Sequence, residues 1–91
     1  MNNIVIAIAQ MNPKKGEVAN NLEKALKFMD AASALNADLV CFPELMTCDY
    51  VKDFWAYGEE VPGPVSKAIS NKSRHLKLWT GFGMPELAGK L

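Results

Sequence analysis

Glu44 is the first candidate for acid–base chemistry in this sequence, because of the residues that precede it. It follows the apolar run Leu39–Phe42 and Pro43, and the proline restricts the backbone so that the carboxylate is held in one direction. A carboxylate in a partly desolvated pocket at such a point suits the work of a general base. From Phe-Pro-Glu alone, however, a structural role is the commoner one, such as capping a helix or pairing with a lysine.

The two cysteines are the next candidates. Cys41 lies three residues before Glu44, but strand alternation predicts that it packs inside the sheet as a small, inert hydrophobic residue. Cys48 falls in a predicted loop and should be exposed, yet no histidine or basic residue lies near it to activate the thiol. With the single His75, expected near a helix end, these cysteines match neither a zinc pattern nor a disulfide framework. We therefore expect no metal and no cofactor.

Two further groups of residues invite a ligand-binding interpretation. Gly81-Phe82-Gly83 resembles the start of a dinucleotide fingerprint, but Glu86 stands where the third glycine belongs. A small nucleotide-binding domain therefore remains an alternative that rests on this glycine pair and on the βαβ pattern described below. Trp55, Tyr57 and Trp79 have the size to line a pocket, although aromatic residues at this density ordinarily belong to a core.

The elements that would position Glu44 begin with the run Ile4–Ala9, which is apolar at every position. That pattern predicts a strand covered on both faces, as in parallel sheets. Asn20 and Glu23 match a capping box, and we predict a helix over 21–35 with Asn36 as its left-handed cap. The apolar stripe of this helix consists of Leu22, Ala25, Leu26, Met29, Ala32 and Leu35.

A second strand over 39–42 completes a βαβ unit, so the two strands should run parallel. Ligands in such sheets bind beyond the carboxyl ends of the strands, where Glu44 lies. The remainder predicts a loop over 45–50, a short helical stretch over 52–58, a break at 61–64, a helix over 65–75 and a third strand over 76–82. Gly89 and Lys90 suggest a hairpin turn that leads to a fourth strand.

Length and charge restrict the class of protein. The 91 residues, 49% of them hydrophobic, fall below the ~100 to 200 residues of most domains, so at most one domain fits and a fragment is expected. Ten basic residues balance ten acidic ones without clustering, which argues against nucleic-acid or membrane partners. The amino terminus lacks the pattern of a signal peptide, and two free thiols suit a reducing compartment, so a cytoplasmic protein with a small-molecule or protein partner is expected.

Several motifs occur together in a characteristic order. They are Ile6–Asn12, Gly16-Glu17-Val18 with Asn21-Leu22, Ala37–Val40, Phe42–Tyr50, Val61-Pro62-Gly63-Pro64 and Gly83-Met84-Pro85-Glu86. In this order and spacing they resemble the amino-terminal third of the nitrilase-like carbon–nitrogen hydrolases. The resemblance covers essentially the whole chain. No single motif is specific, but their collinearity is.

The resemblance implies an α/β fold, namely the amino-terminal portion of a four-layer α-β-β-α sandwich with a βαβ start, about three strands and two main helices. It also implies a hydrolase of nitriles, amides or carbamoyl compounds that uses a glutamate, a lysine and a cysteine and acts as a homo-oligomer. Glu44 matches the glutamate, the general base, and Tyr50 is a candidate substrate-binding residue. The lysine and the cysteine belong to motifs beyond residue 91, so residues 1–91 should be inactive alone.

Two positions depart from the pattern of the family. Asp49 stands where the family usually has a glycine before the tyrosine, and Asn36 replaces the usual glycine at the helix end. Both residue types tolerate left-handed backbone better than most others do. A non-catalytic alternative is a truncated interaction module that binds a partner through exposed sheet and helix faces, because strands apolar on both faces need a second layer.

Overall fold

The computed structural model describes residues 3–87 and has an α/β architecture with three strands and two main helices, as predicted. The predicted hairpin turn at Gly89 and Lys90 lies outside the described residues. In chain order, the elements are β1 (Ile6–Ile8), α1 (Val18–Ala34), β2 (Leu39–Cys41), a 3-10 helix (Phe54–Tyr57), α2 (Pro64–Leu76) and β3 (Trp79–Gly81).

The three strands form one sheet in the order β1-β2-β3, and both pairs are parallel, which confirms the predicted βαβ unit. Ile6 pairs with Leu39, and Leu39 in turn pairs with Trp79, so these three side chains lie on one face of the sheet. Val40 is the central residue of the next row and points to the opposite face. The third strand begins later than predicted, because α2 continues through Leu76.

Helix α1 differs from its prediction at its start. It begins at Val18, with Glu17 as the cap residue and no side-chain capping bond, so the predicted capping box of Asn20 and Glu23 is wrong. Asn20 instead donates its amide to Glu17 Oε1 over 3.3 Å. Asn36 follows the other end of the helix with φ of 60°, which confirms the predicted left-handed cap.

The core lies between the two helices and one face of the sheet. Helix α1 contributes its buried stripe, α2 contributes one side, and β2 contributes Val40, which is 1% exposed. The buried apolar residues here include Ala25, Met29, Ala32, Val40, Met46, Val65, Ile69 and Leu78. This face of the sheet is covered at its centre, because Val40 is buried while its partners Ala7 and Thr80 are half-buried.

The opposite face of the sheet is uncovered. We call it the open sheet face and define it by Ile4, Ile6, Ile8 and Trp79, which are 74%, 55%, 73% and 79% exposed. The prediction that the strand at Ile4–Ala9 is covered on both faces is therefore wrong for residues 3–87. The aromatic residues predicted as core are also exposed, since Trp55 and Trp79 are 60% and 79% accessible to solvent.

Helix α2 is capped by a carboxylate from the preceding segment. Glu59 Oε1 accepts hydrogen bonds from the backbone N–H groups of Val65 and Ser66, at 2.8 and 3.2 Å, where a negative charge complements the helix dipole. Pro64 occupies the first turn, as predicted, and His75 lies in the last turn. Within residues 3–87, neither this helix nor any other is long and apolar enough to cross a membrane.

Candidate functional site

The candidate site is built on a tight turn that follows β2, and Glu44 is its first residue. The turn reverses the chain because Leu45 and Asp49 both adopt left-handed backbone, with φ of 52° and 62°. The Asp49 N–H donates to the Leu45 carbonyl over 2.8 Å and closes the turn. Asp49 thus takes the left-handed conformation that its position in the motif was expected to require, and Tyr50 returns beside Glu44.

The end of β3 supports this turn from one side. The Met46 N–H donates to the Gly83 carbonyl over 2.9 Å. A Cβ at Gly83 would lie 2.9 Å from the Leu45 nitrogen and 3.1 Å from the Glu44 Cα, so only glycine allows this approach. Gly83 therefore has a structural reason that involves no nucleotide.

Asn21 supports the turn from the other side, through the helix. Its side chain is fully buried and makes three hydrogen bonds. Oδ1 accepts from the Lys14 N–H at 2.7 Å, and Nδ2 donates to the carbonyls of Lys14 and Thr47 at 2.8 and 2.9 Å. Asn21 thereby joins α1, the loop before it and the Glu44 turn.

This role of Asn21 was not predicted from the sequence. A signal was present, because Asn21 lies one helical turn before Ala25 and two before Met29, on the face that is buried. A polar residue at a core position of a helix must find hydrogen-bond partners from other segments. The expectation of a buried amide network at residue 21 therefore follows from the helical register.

The structure brings together the two residues that were predicted for the site. The Tyr50 hydroxyl donates to Glu44 Oε1 over 2.6 Å, and the Tyr50 N–H donates to Asp49 Oδ1 over 2.8 Å. The hydrogen bond to the Glu44 carboxylate raises the pKa of Tyr50, with a smaller contribution from the charge of Asp49. The phenol therefore remains a proton donor at neutral pH.

The expectation that the Glu44 carboxylate lies in a partly desolvated pocket is not met within residues 3–87. Glu44 is exposed, and Tyr50 is 60% exposed. A groove of about 670 Å³ lies between α2 and β3, but Glu44 is not among the residues that line it. The described residues thus supply a positioned carboxylate without the walls of a binding pocket.

The two cysteines are placed opposite to their predictions. Cys48 is fully buried, because the turn folds it inward, and its thiol donates to the Asp49 carbonyl over 3.3 Å. Burial raises the pKa of the Cys48 thiol and disfavours its thiolate. Cys41 pairs with Ile8 and so belongs to the open sheet face, where it is only partly covered. Neither thiol is set up as a nucleophile.

A metal centre has no support among residues 3–87, which contain no group of three or more histidine, cysteine or acidic side chains able to hold an ion. The chemistry predicted for this site is that of Glu44, with Tyr50 beside it. It consists of a carboxylate at the carboxyl end of a parallel strand, hydrogen-bonded through one oxygen. Such a group can accept and return a proton.

Comparison with known proteins adds two findings. The model of the carbon-nitrogen hydrolase family matches residues 5–91. A glutamine-dependent NAD(+) synthetase of Synechocystis sp. is 47% identical over 45 residues, and that of Rhodobacter capsulatus is 44% identical over 45 residues. Each alignment covers 50% of this chain but only 8% of the relative. The chain therefore corresponds to a small part of these relatives.

Proposed function

Because this chain belongs to the carbon–nitrogen hydrolase family, we propose that its 91 residues form the opening segment of a hydrolase that cleaves non-peptide carbon–nitrogen bonds. In this proposal Glu44 is the general base, and the lysine and the cysteine that work with it lie beyond residue 91. The observation that carries the proposal is the position of Glu44 at the carboxyl end of β2, on a turn tied to both β3 and α1.

The proposed reaction begins with a proton transfer. Glu44 takes the proton of the cysteine thiol, and the thiolate attacks the carbonyl carbon of an amide. The lysine stabilises the negative charge that develops on the oxygen. Glu44 then gives its proton to the leaving nitrogen, which departs as ammonia and leaves a thioester. Water, deprotonated by Glu44, hydrolyses the thioester and restores the thiol. A nitrile would react by way of a thioimidate.

Glutamine is the substrate that we propose to test first. Both relatives described above are glutamine-dependent enzymes by name, so the side-chain amide of glutamine is the carbon–nitrogen bond that their similarity favours. Other amides, nitriles and carbamoyl compounds are the remaining substrates of the family resemblance. The proposal needs no cofactor for the hydrolytic step, since the thiol, the carboxylate and water account for every bond made and broken.

The reading frame that contains these 91 residues provides the test. We expect it to continue past Leu91 with an in-frame lysine followed by a cysteine at the end of a strand. The longer product should release ammonia from glutamine, whereas residues 1–91 alone should release none. Ammonia release by residues 1–91 alone that disappears on Glu44→Gln would overturn the division of catalytic residues, and a longer product without such a cysteine would overturn the mechanism.

The open sheet face favours a second candidate, a non-catalytic interaction module. Four large apolar side chains are more than half exposed on this face, and a contiguous apolar surface is typical of a binding site. In this hypothesis residues 1–91 associate with another copy of themselves. Trp79→Glu should then shift sedimentation of the chain toward monomer, with Trp55→Glu, off the sheet, as the control. A wild-type chain that sediments as a clean monomer would contradict this candidate.

A further inference from the structure

The hydrogen bond between Tyr50 and Glu44 assigns a role to the tyrosine that differs from binding substrate. The O···O distance is 2.6 Å, within the ~2.5 to 2.7 Å range of a hydroxyl that donates to an ionised carboxylate. Among residues 3–87, this phenol is the hydrogen-bond donor that reaches the Glu44 carboxylate. An exposed glutamate without such a partner would sample several rotamers, because its side chain has three rotatable bonds.

The partners of Tyr50 are fixed by the backbone around it. The Tyr50 N–H is held by Asp49 Oδ1, and the Asp49 N–H is held by the Leu45 carbonyl, both over 2.8 Å. The bond to the Leu45 carbonyl closes the turn, and residue 50 lies beside residue 44. The ring itself is 60% exposed and is not clamped by core packing. Among residues 3–87, the hydrogen bond to Glu44 is the polar contact that the Tyr50 side chain makes.

We propose that Tyr50 is a positioning residue for the general base, whose phenol holds Glu44 Oε1 so that Oε2 alone is free to accept the proton of the attacking thiol. This inference rests on the proposed function of Glu44. Because Tyr50 occupies Oε1, the proton can be transferred to Oε2 only, in one geometry. A misplacement of a reacting group by about 1 Å can cost on the order of 100-fold in rate.

The protonation state of Tyr50 suits this role. Its hydrogen bond to Glu44 and the nearby charge of Asp49 raise the pKa of Tyr50, so the phenol keeps its proton while Glu44 gains and loses one. When Glu44 is protonated by the thiol, the tyrosine still occupies Oε1. The proton therefore resides on Oε2, from which it is delivered to the leaving nitrogen.

The first arm of the test measures the contact itself and does not depend on activity. In the full-length product of the reading frame, 3-fluorotyrosine at position 50 reports the ionisation of this one phenol by fluorine NMR. We expect Glu44→Gln to lower the midpoint of that titration, because the negative charge next to the phenol is removed. Glu23→Gln, an exposed change on α1, should leave the midpoint where it was. An unchanged midpoint in Glu44→Gln would overturn the proposal.

The second arm separates positioning from substrate binding. Tyr50→Phe should lower kcat by about 10- to 100-fold and leave KM within about 3-fold of the wild type, with an unaltered melting temperature. Tyr57→Phe is the matched control, since Tyr57 is half-exposed in the 3-10 helix, and it should keep full activity. A raised KM with unchanged kcat would assign Tyr50 to substrate binding and overturn the proposal.

The two arms also distinguish failure of this inference from failure of the proposed function. If Glu44→Gln abolishes turnover and Tyr50→Phe leaves kcat unchanged, Glu44 is the base and Tyr50 does not position it. If Glu44→Gln retains turnover, the proposed function fails, and the inference fails with it.

Discussion

The two faces of the sheet have opposite environments. On one face Val40 is 1% exposed beneath the helices, and on the other Ile6, Ile8 and Trp79 are 55%, 73% and 79% exposed. The open sheet face carries large apolar residues, which is the pattern of a parallel sheet that is covered on each side. The difference shows that an apolar pattern predicts which surfaces need to be buried. It does not predict which part of the protein buries them.

The Glu44 turn contrasts with the open sheet face in the same way. Its supports are local, since β3 provides the Gly83 carbonyl and α1 provides Asn21. The turn is therefore complete within residues 3–87, although Glu44 itself is exposed. A carboxylate can thus be positioned by short segments of chain, whereas a rise of its pKa by desolvation would require its enclosure.

The largest expected effect compares the same substitution on the two sides of the molecule. Ile69, which is 2% exposed on α2, and Ile8, which is 73% exposed, form a matched pair. Ile69→Ala should lower the free energy of unfolding of the 91-residue chain by about 2 to 5 kcal/mol, and Ile8→Ala by less than about 1 kcal/mol. Urea denaturation measures both values. Equal losses would mean that the open sheet face is covered in solution.

A smaller effect is expected from the buried support of the turn. Asn21→Ala leaves the Lys14 N–H and the Thr47 carbonyl without their partner, so stability should fall by about 1 to 3 kcal/mol. Asn20→Ala removes one exposed hydrogen bond to Glu17 and should change it by less than about 0.5 kcal/mol. Denaturation of the two alanine variants decides the matter. Similar values for both would contradict the anchoring role of Asn21.

The two cysteines compare the open sheet face, where Cys41 lies, with the buried turn that contains Cys48. Cys41 on the open sheet face should react with a thiol reagent at least about 10-fold faster than the buried Cys48, because Cys48 requires local opening. Single-cysteine variants, Cys41→Ala and Cys48→Ala, separate the rates by mass spectrometry. A Cys48 that reacts as fast as Cys41 would contradict the buried turn.

The buried thiol of Cys48 should also make the stability of the chain depend on pH. Folding raises the pKa of Cys48 above its ordinary value of 9.0, so the folded state holds the proton more tightly than the unfolded state does. Its contribution to stability is complete below about pH 9 and is lost as the pH rises through the folded pKa. As the pH rises through that pKa, the free energy of unfolding should fall less for Cys48→Ala than for Cys41→Ala, because Cys41→Ala retains the thiol at residue 48.

Much of the fold follows from the sequence. The βαβ unit, the parallel pairing and the left-handed Asn36 were predicted from apolar runs and turn residues, which act locally. The start of α1 was missed by three residues, because the helix begins without a side-chain cap. The cysteines were reversed, since the direction of Cys48 depends on two left-handed residues in the turn that a hydrophobic pattern does not reveal.

Less of the candidate site than of the fold could be predicted from the sequence. Glu44 was identified from its place after a strand and a proline and then from the resemblance to a family. Its contact with Tyr50 depends on the reversal of the chain at Leu45 and Asp49. The burial of Asn21 could be predicted only from its position on the buried face of the helix. The predicted burial of Glu44 was not found, because residues 3–87 leave this side chain exposed.

The assignment of Glu44 as the general base is tested most directly by Glu44→Gln in the full-length product of the reading frame. The change keeps the shape of the side chain and removes its ability to take a proton. We expect kcat for glutamine hydrolysis to fall by about 10² to 10⁴-fold, while Glu23→Gln, in an exposed pair with Lys27 on α1, keeps the wild-type rate. Glutamine hydrolysis by Glu44→Gln at the wild-type rate would contradict the assignment.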